Sequence, residues 1–144
     1  MSTAELTLSP GIDTVSRALE WLDGIAGEAG WPARTVHALR LSLDETLTNI
    51  TMYGFTDRAP DMAEPRIRLQ LQHDATRAVL TVSDNGRAFD PTARRPRELD
   101  ASLDDAQVGG HGLRLMLHFL ESMHYERAGD WNRLELVARI DATP

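Results

Sequence analysis

The hydrophobic positions change period several times along the chain, and each change marks an element. Ala4–Leu8 alternates weakly and predicts an edge strand. Asp13 then offers an N-cap, after which Val15, Ala18, Leu19, Leu22, Ile25 and Ala26 recur at helical spacing, and Gly30 fits the C-terminal stop. Pro32 suits the first turn of a second helix, about Pro32–Tyr53. On it, Val36, Leu39, Leu43, Leu47 and Ile50 fall within an arc of about 80°. The turn-rich stretch Gly54–Pro65 leads into Arg66–Gln72, which alternates cleanly. Ile67, Leu69 and Leu71 lie on one face, Arg66, Arg68, Gln70 and Gln72 on the other. Arg77–Ser83 reads as its hairpin partner across the turn His73–Thr76.

From Asn85 to about Gly110 neither period holds, and a stretch of that length in a compact domain is commonly a lid, a binding loop or disordered. A helix is expected from about Gly112, with Leu113, Met116, Leu117, Leu120 and Met123 on one side. Two strands, about His124–Arg127 and Asn132–Ile140, close the chain around Gly129-Asp130. The order β-α-α-β-β-lid-α-β-β predicts an α+β fold, not a doubly wound one. It implies a two-layer sandwich whose mixed, mostly antiparallel sheet carries its helices on one face. The 144 residues are expected to form one domain over 1–144.

Composition narrows the chemistry. Fifteen basic against 22 acidic residues give a net charge of −7, which argues against nonspecific binding to nucleic acid or an anionic membrane. All fifteen basic residues are Arg. Schiff-base chemistry, P-loop nucleotide binding and kinase folds with a phosphate-binding lysine are therefore excluded. The absence of cysteine excludes disulfides, thiolate metal sites and thiol catalysis. No run approaches a membrane span, and residues 1–12 lack the pattern of a signal peptide, so the cytoplasm is the expected compartment.

Three groups of residues bear on function. Glu45 and Asn49 stand one turn apart on the second helix, about 200° from its leucine stripe. A solvated helix face is the plain alternative, but Leu41 and Met52 make that side partly apolar. A carboxylate and an amide held there suit a general base and a metal ligand. Asp84-Asn85-Gly86 closes a strand, as an ordinary turn or as a fixed carboxylate with a glycine that admits a ligand. Gly109-Gly110-His111-Gly112 opens into a helix, as a hinge or as backbone donors facing an anion. His37, His73, His118 and His124 lack metal-ligand spacing, and Trp21, Trp31 and Trp131 read as packing residues.

The order of these groups is more specific than any one of them. Leu43-Asp44-Glu45-Thr46-Leu47-Thr48-Asn49, then Val82-Ser83-Asp84-Asn85-Gly86, then Gly109-Gly110-His111-Gly112-Leu113-Arg114-Leu115-Met116 resembles the N, G1 and G2 boxes of GHKL-type ATPases. The short chain and the helix pair before the G1 hairpin most resemble the anti-sigma serine kinases of bacterial partner-switching systems. The resemblance implies ATP and Mg²⁺, with Glu45 as catalytic base and Asn49 on the metal. It implies Asp84 on the adenine amine, Gly86 in the same pocket, and Gly109, Gly110, His111, Gly112 and Leu113 around the phosphates. It also implies a homodimer, a sigma-factor client and an anti-anti-sigma protein as phosphorylation substrate. Arg17 stands near a partner-contacting arginine of relatives. The sequence departs from the pattern at Ala88, at Tyr53 and at Asp130-Trp131-Asn132, where relatives carry a Gly-Thr that touches adenine through water. Asn132 can donate and accept in that place.

Three readings follow. The first is a serine kinase that sequesters a sigma factor. The second is a nucleotide-binding anti-sigma module with little kinase activity. The third is a detached histidine-kinase catalytic domain, disfavoured because no phosphoacceptor-bearing helix precedes the boxes.

Overall fold

The computed structural model describes residues 2–56, 62–93 and 119–140. The first strand, β1 (Ser2–Leu8), leads into α1 (Thr14–Ala29) and α2 (Ala33–Asn49), and α2 runs on as a π-helical turn over Ile50–Gly54. The hairpin β2 (Ile67–His73) and β3 (Arg77–Asp84) follows, with β4 (Ser122–Ala128) and β5 (Trp131–Arg139) at the end. The strands form one sheet in the order β1-β2-β3-β5-β4, and every pairing is antiparallel.

Alternation divides the sheet into two faces. Ile67, Leu69 and Leu71 of β2, Ala78, Leu80 and Val82 of β3, and Leu134, Leu136 and Ala138 of β5 are buried on one face. They share a single core with Ala18, Leu22 and Ala26 of α1 and Leu39, Leu43 and Leu47 of α2. Arg68, Gln70, Arg133 and Glu135 alternate onto the other face. On α2 the leucine stripe is flanked by a buried row of small residues, Thr35, Ala38, Ser42 and Thr46. Thr35 secures it, donating from Oγ1 to the Arg139 carbonyl at 2.6 Å.

Helix ends account for most differences from the sequence reading. Asp13 precedes α1 but makes no capping bond with its side chain. Thr14 stitches that turn instead, accepting from the Gly11 N–H at 2.7 Å and donating to the Ser9 carbonyl at 2.8 Å. Gly30 is left-handed (φ 67), and the Trp31 N–H reaches back to the Ala26 carbonyl, closing α1 as expected. Pro32 sits just outside α2, where its carbonyl accepts the Thr35 and Val36 N–H groups. Met123, placed by its period on a helix, belongs to β4 and pairs with Leu136. The chain is drawn to the sheet before that point, because the Glu121 N–H already donates to the Val137 carbonyl at 2.8 Å. The helix expected from Gly112 through Leu117 lies outside the described residues.

Candidate functional site

The last inward positions of two central strands are polar. Asp84 continues the buried series Ala78, Leu80, Val82, Asn132 begins the series continued by Leu134, Leu136 and Ala138, and the two residues are register partners. Asp84 Oδ1 accepts from the Gly86 N–H at 2.9 Å and from Asn132 Nδ2 at 3.0 Å. Its Oδ2 takes no hydrogen bond among the described residues. Burial pushes the Asp84 carboxyl above its ordinary value, and the bonds from Asn132 and Gly86 and the charge of Arg127 pull it partly back. The strand-end carboxylate anticipated from the sequence is thus fixed and buried.

The segment after Asp84 is gripped from three sides. Asn85 anchors it to the start of β2, donating to the Glu64 carbonyl at 2.9 Å and accepting from the Arg66 N–H at 2.7 Å. Arg127 Nη1 donates to the Gly86 carbonyl at 2.8 Å, and Asn132 Nδ2 to the Arg87 carbonyl at 2.7 Å. The Arg87 N–H donates to the Gly54 carbonyl at 2.9 Å, tying the segment to the π-helical turn that ends α2. Gly86 is required by this last contact, since a Cβ there would lie 2.5 Å from the Gly54 oxygen. The space a side chain would take is filled by the protein's own backbone.

Glu45 and Asn49 are both half-buried, one and two turns along α2 from the buried Ser42. A solvated helix face is therefore not what they occupy. Asn49 Nδ2 faces Glu45 Oε1 at 3.5 Å, a weak contact, and Asn49 Oδ1 takes no hydrogen bond among the described residues. The π-helical turn begins at the next residue, and such insertions recur at functional sites.

The chemistry of Asp84 and Asn49 is compatible with an adenine nucleotide and Mg²⁺. The carboxylate has an oxygen left for an exocyclic amine. The amide is a hard oxygen donor, and Mg²⁺ is ordinarily completed by phosphate oxygens and water and does not need an all-protein cage. The residues present fit the group.

Other expectations divide. Gly109, Gly110, His111, Gly112 and Leu113 lie outside the described residues. Arg17 is exposed on α1, away from the Asp84 loop in sequence and element. Trp31 is buried with its ring edge-on to His73 at 5.3 Å, and Trp131 lies under the Arg68 guanidinium at 4.7 Å. Asn132, expected to stand in for a base contact, has both amide groups bonded inside the protein. Sequence reasoning missed Gly54, Tyr125 and Arg127. The only available signal was the alternation of β4, which puts Tyr125 opposite Leu134 and Arg127 opposite Asn132.

A two-layer α+β sandwich, whose helix bearing a carboxylate and an amide is tied at its end to the loop of a buried strand-end aspartate, is the arrangement of a nucleotide-binding class. The chain belongs to the histidine kinase-like ATPase domain family, whose model matches residues 8–138. It is homologous to serine/threonine-protein kinase BtrW of Bordetella bronchiseptica, 43% identical over 94% of this chain and 93% of that one. Serine-protein kinase RsbW of Listeria monocytogenes is 29% identical over 66% of this chain and 60% of its own length. A crystal structure of the RsbU and RsbW domains of a Mycobacterium tuberculosis protein shares the fold, with a TM-score of 0.68 at 13% identity, over 97% of this chain and 33% of that one.

Proposed function

We propose that the chain is an ATP-dependent protein-serine kinase of a partner-switching system. It would hold a sigma factor and phosphorylate an anti-anti-sigma protein on serine. The observation that carries this reading is the half-buried Glu45–Asn49 pair on a helix whose end is bonded, through Gly54 and Arg87, to the Asp84 loop. Base recognition and phosphoryl chemistry would then share one rigid support. The kinship with BtrW and RsbW supports the same reading.

Bound Mg²⁺-ATP would supply the phosphoryl group and the charge neutralisation. The residues supply the rest. Asp84 Oδ2 accepts from the adenine amine, an acceptor that rejects guanine at that edge. Asn49 would hold the metal, and Glu45, one turn earlier, would receive the proton of the incoming serine hydroxyl. By the family resemblance, Gly109, Gly110, His111, Gly112 and Leu113 would serve the phosphates. With no lysine in the chain, backbone donors, arginines and the metal must balance their charge.

Homodimerisation, a partner contact at Arg17 and a cytoplasmic setting belong to the same proposal. Among the described residues no helix is long and apolar enough to cross a membrane. The test is to incubate the protein with Mg²⁺-ATP and a candidate anti-anti-sigma protein and to measure phosphoserine by mass spectrometry. Phosphoserine that needs both Mg²⁺ and ATP is the expected result. Nucleotide and sigma-factor binding without phosphotransfer would favour the module with little kinase activity.

A further inference from the structure

Asn132 sits where its relatives are expected to reach the base, yet its amide is saturated. Nδ2 donates to Asp84 Oδ1 at 3.0 Å and to the Arg87 carbonyl at 2.7 Å. Oδ1 accepts from the Phe89 N–H at 3.3 Å and from the Tyr125 hydroxyl, the last a short contact. Only one orientation of the amide satisfies these partners. Turned over, it would set its NH₂ against the Phe89 N–H and its oxygen against two acceptors, the Arg87 carbonyl and the Asp84 carboxylate. The residue is 6% exposed, so water cannot readily replace any of the four bonds.

The geometry points to Asn132 and Tyr125 as positioning residues for base selection: the chain Tyr125 hydroxyl, Asn132 amide, Asp84 Oδ1 fixes the plane of the carboxylate and leaves Oδ2 as its one reading atom. This rests on the nucleotide reading above and adds to it which residues set the selectivity. Two N–H groups from different elements, Gly86 in the loop and Asn132 on β5, converge on the same oxygen. A carboxylate held at one oxygen by two donors cannot rotate without breaking one of them. Tyr125 on β4 closes the chain by occupying the Asn132 oxygen, so that the adjacent strands β4 and β5 act together on β3.

A merely structural Asn132 would weaken every nucleotide alike when altered, whereas a positioning one would weaken only those that present an amine. Inosine triphosphate, which carries an oxygen in place of the adenine amine, separates the two. In calorimetric titrations of the whole chain with Mg²⁺, the wild type should prefer ATP to inosine triphosphate. Tyr125→Phe removes one hydroxyl and keeps the ring. It should lower ATP affinity about three- to tenfold, the usual worth of one hydrogen bond, and leave inosine triphosphate unchanged. Asn132→Ala should bring the ratio of the two affinities close to one. Equal losses for both nucleotides, or an unchanged ratio in both variants, would overturn the proposal and leave the nucleotide reading intact. A wild type that takes the two nucleotides alike would overturn the adenine reading itself, and the positioning role with it.

Discussion

Gly86 and Gly54 meet backbone to backbone, with a hydrogen atom on the Gly86 α-carbon where any other residue would place a carbon 2.5 Å from the Gly54 oxygen. The contact joins the loop after β3 to the π-helical turn after Asn49, and the Arg87 N–H bond to Gly54 runs beside it. Gly86→Ala should therefore force the two segments apart. The expected cost is about 1–3 kcal/mol, the usual range for overpacking, together with weaker ATP binding. Urea unfolding and titration with Mg²⁺-ATP measure the two effects, and an unchanged midpoint would show that the approach is looser than it stands here.

Glu45 and Asn49 should separate binding from chemistry. Glu45→Ala is expected to keep most ATP affinity and lose about 10²–10⁴ in phosphotransfer rate, as loss of a general base does. Asn49→Ala should lose both, because metal position affects both. On the proposed function, holding a sigma factor would not require turnover, so Glu45→Ala should still bind one and release it poorly. With folding verified and a substrate that carries its serine, wild-type phosphotransfer by Glu45→Ala would assign the base elsewhere.

Helices α1 and α2, the five strands to within about two residues and the Asp84 turn were legible because each rests on local periodicity or turn chemistry. The grip on the Asp84 loop was not. Gly54 and Arg87 are joined by a backbone bond, and Asn132, Tyr125 and Arg127 reach the loop through strand register, which no local pattern encodes. Asn132 shows the limit well. Its type allowed a ligand contact, and only the four partners around it reveal that its capacity is spent within the protein. Met123 was misplaced for a related reason: a sheet bond at Glu121 overrode a helical spacing.

Protonation of Asp84 should leave a mark on stability. Its carboxyl is raised above 3.8, chiefly by burial, so the folded chain binds more protons than the unfolded one between 3.8 and the raised value. The stability this group contributes is full below 3.8 and is lost as pH rises through the raised value. Asp84→Asn keeps an acceptor for Gly86 and Asn132 and removes the charge. Its urea midpoint should exceed the wild type's at neutral pH, with the gap closing toward 3.8, while ATP selectivity is lost. Asp74, lowered by the Thr76 and Arg77 N–H groups, has the opposite sign: its contribution is present above 3.8 and lost as pH falls through the lowered value. A gap independent of pH would contradict the assignment.

Thr46 Oγ1 is the one buried side-chain oxygen among the described residues that has no hydrogen-bond partner. Thr46→Val is nearly the same shape without the hydroxyl. It should raise stability by about 1 kcal/mol, since an orphaned polar group is removed from the interior. Chemical denaturation with an unchanged m-value would record this, and a loss of stability would mean that the hydroxyl is satisfied in solution.

Because β5 lies between β3 and β4, the chain leaving Asp84 must travel to the far edge of the sheet before it can return to the middle. Both ends of that journey are moored. Arg127 and Asn132 hold residues 86–89, while Arg77 and the Val137 carbonyl hold Glu121. The sheet pairings of the described residues are all made outside the intervening stretch. The bonds on Gly86, Arg87 and Phe89 thus hold the Asp84 loop to strands of the same sheet that ties the returning chain at Glu121.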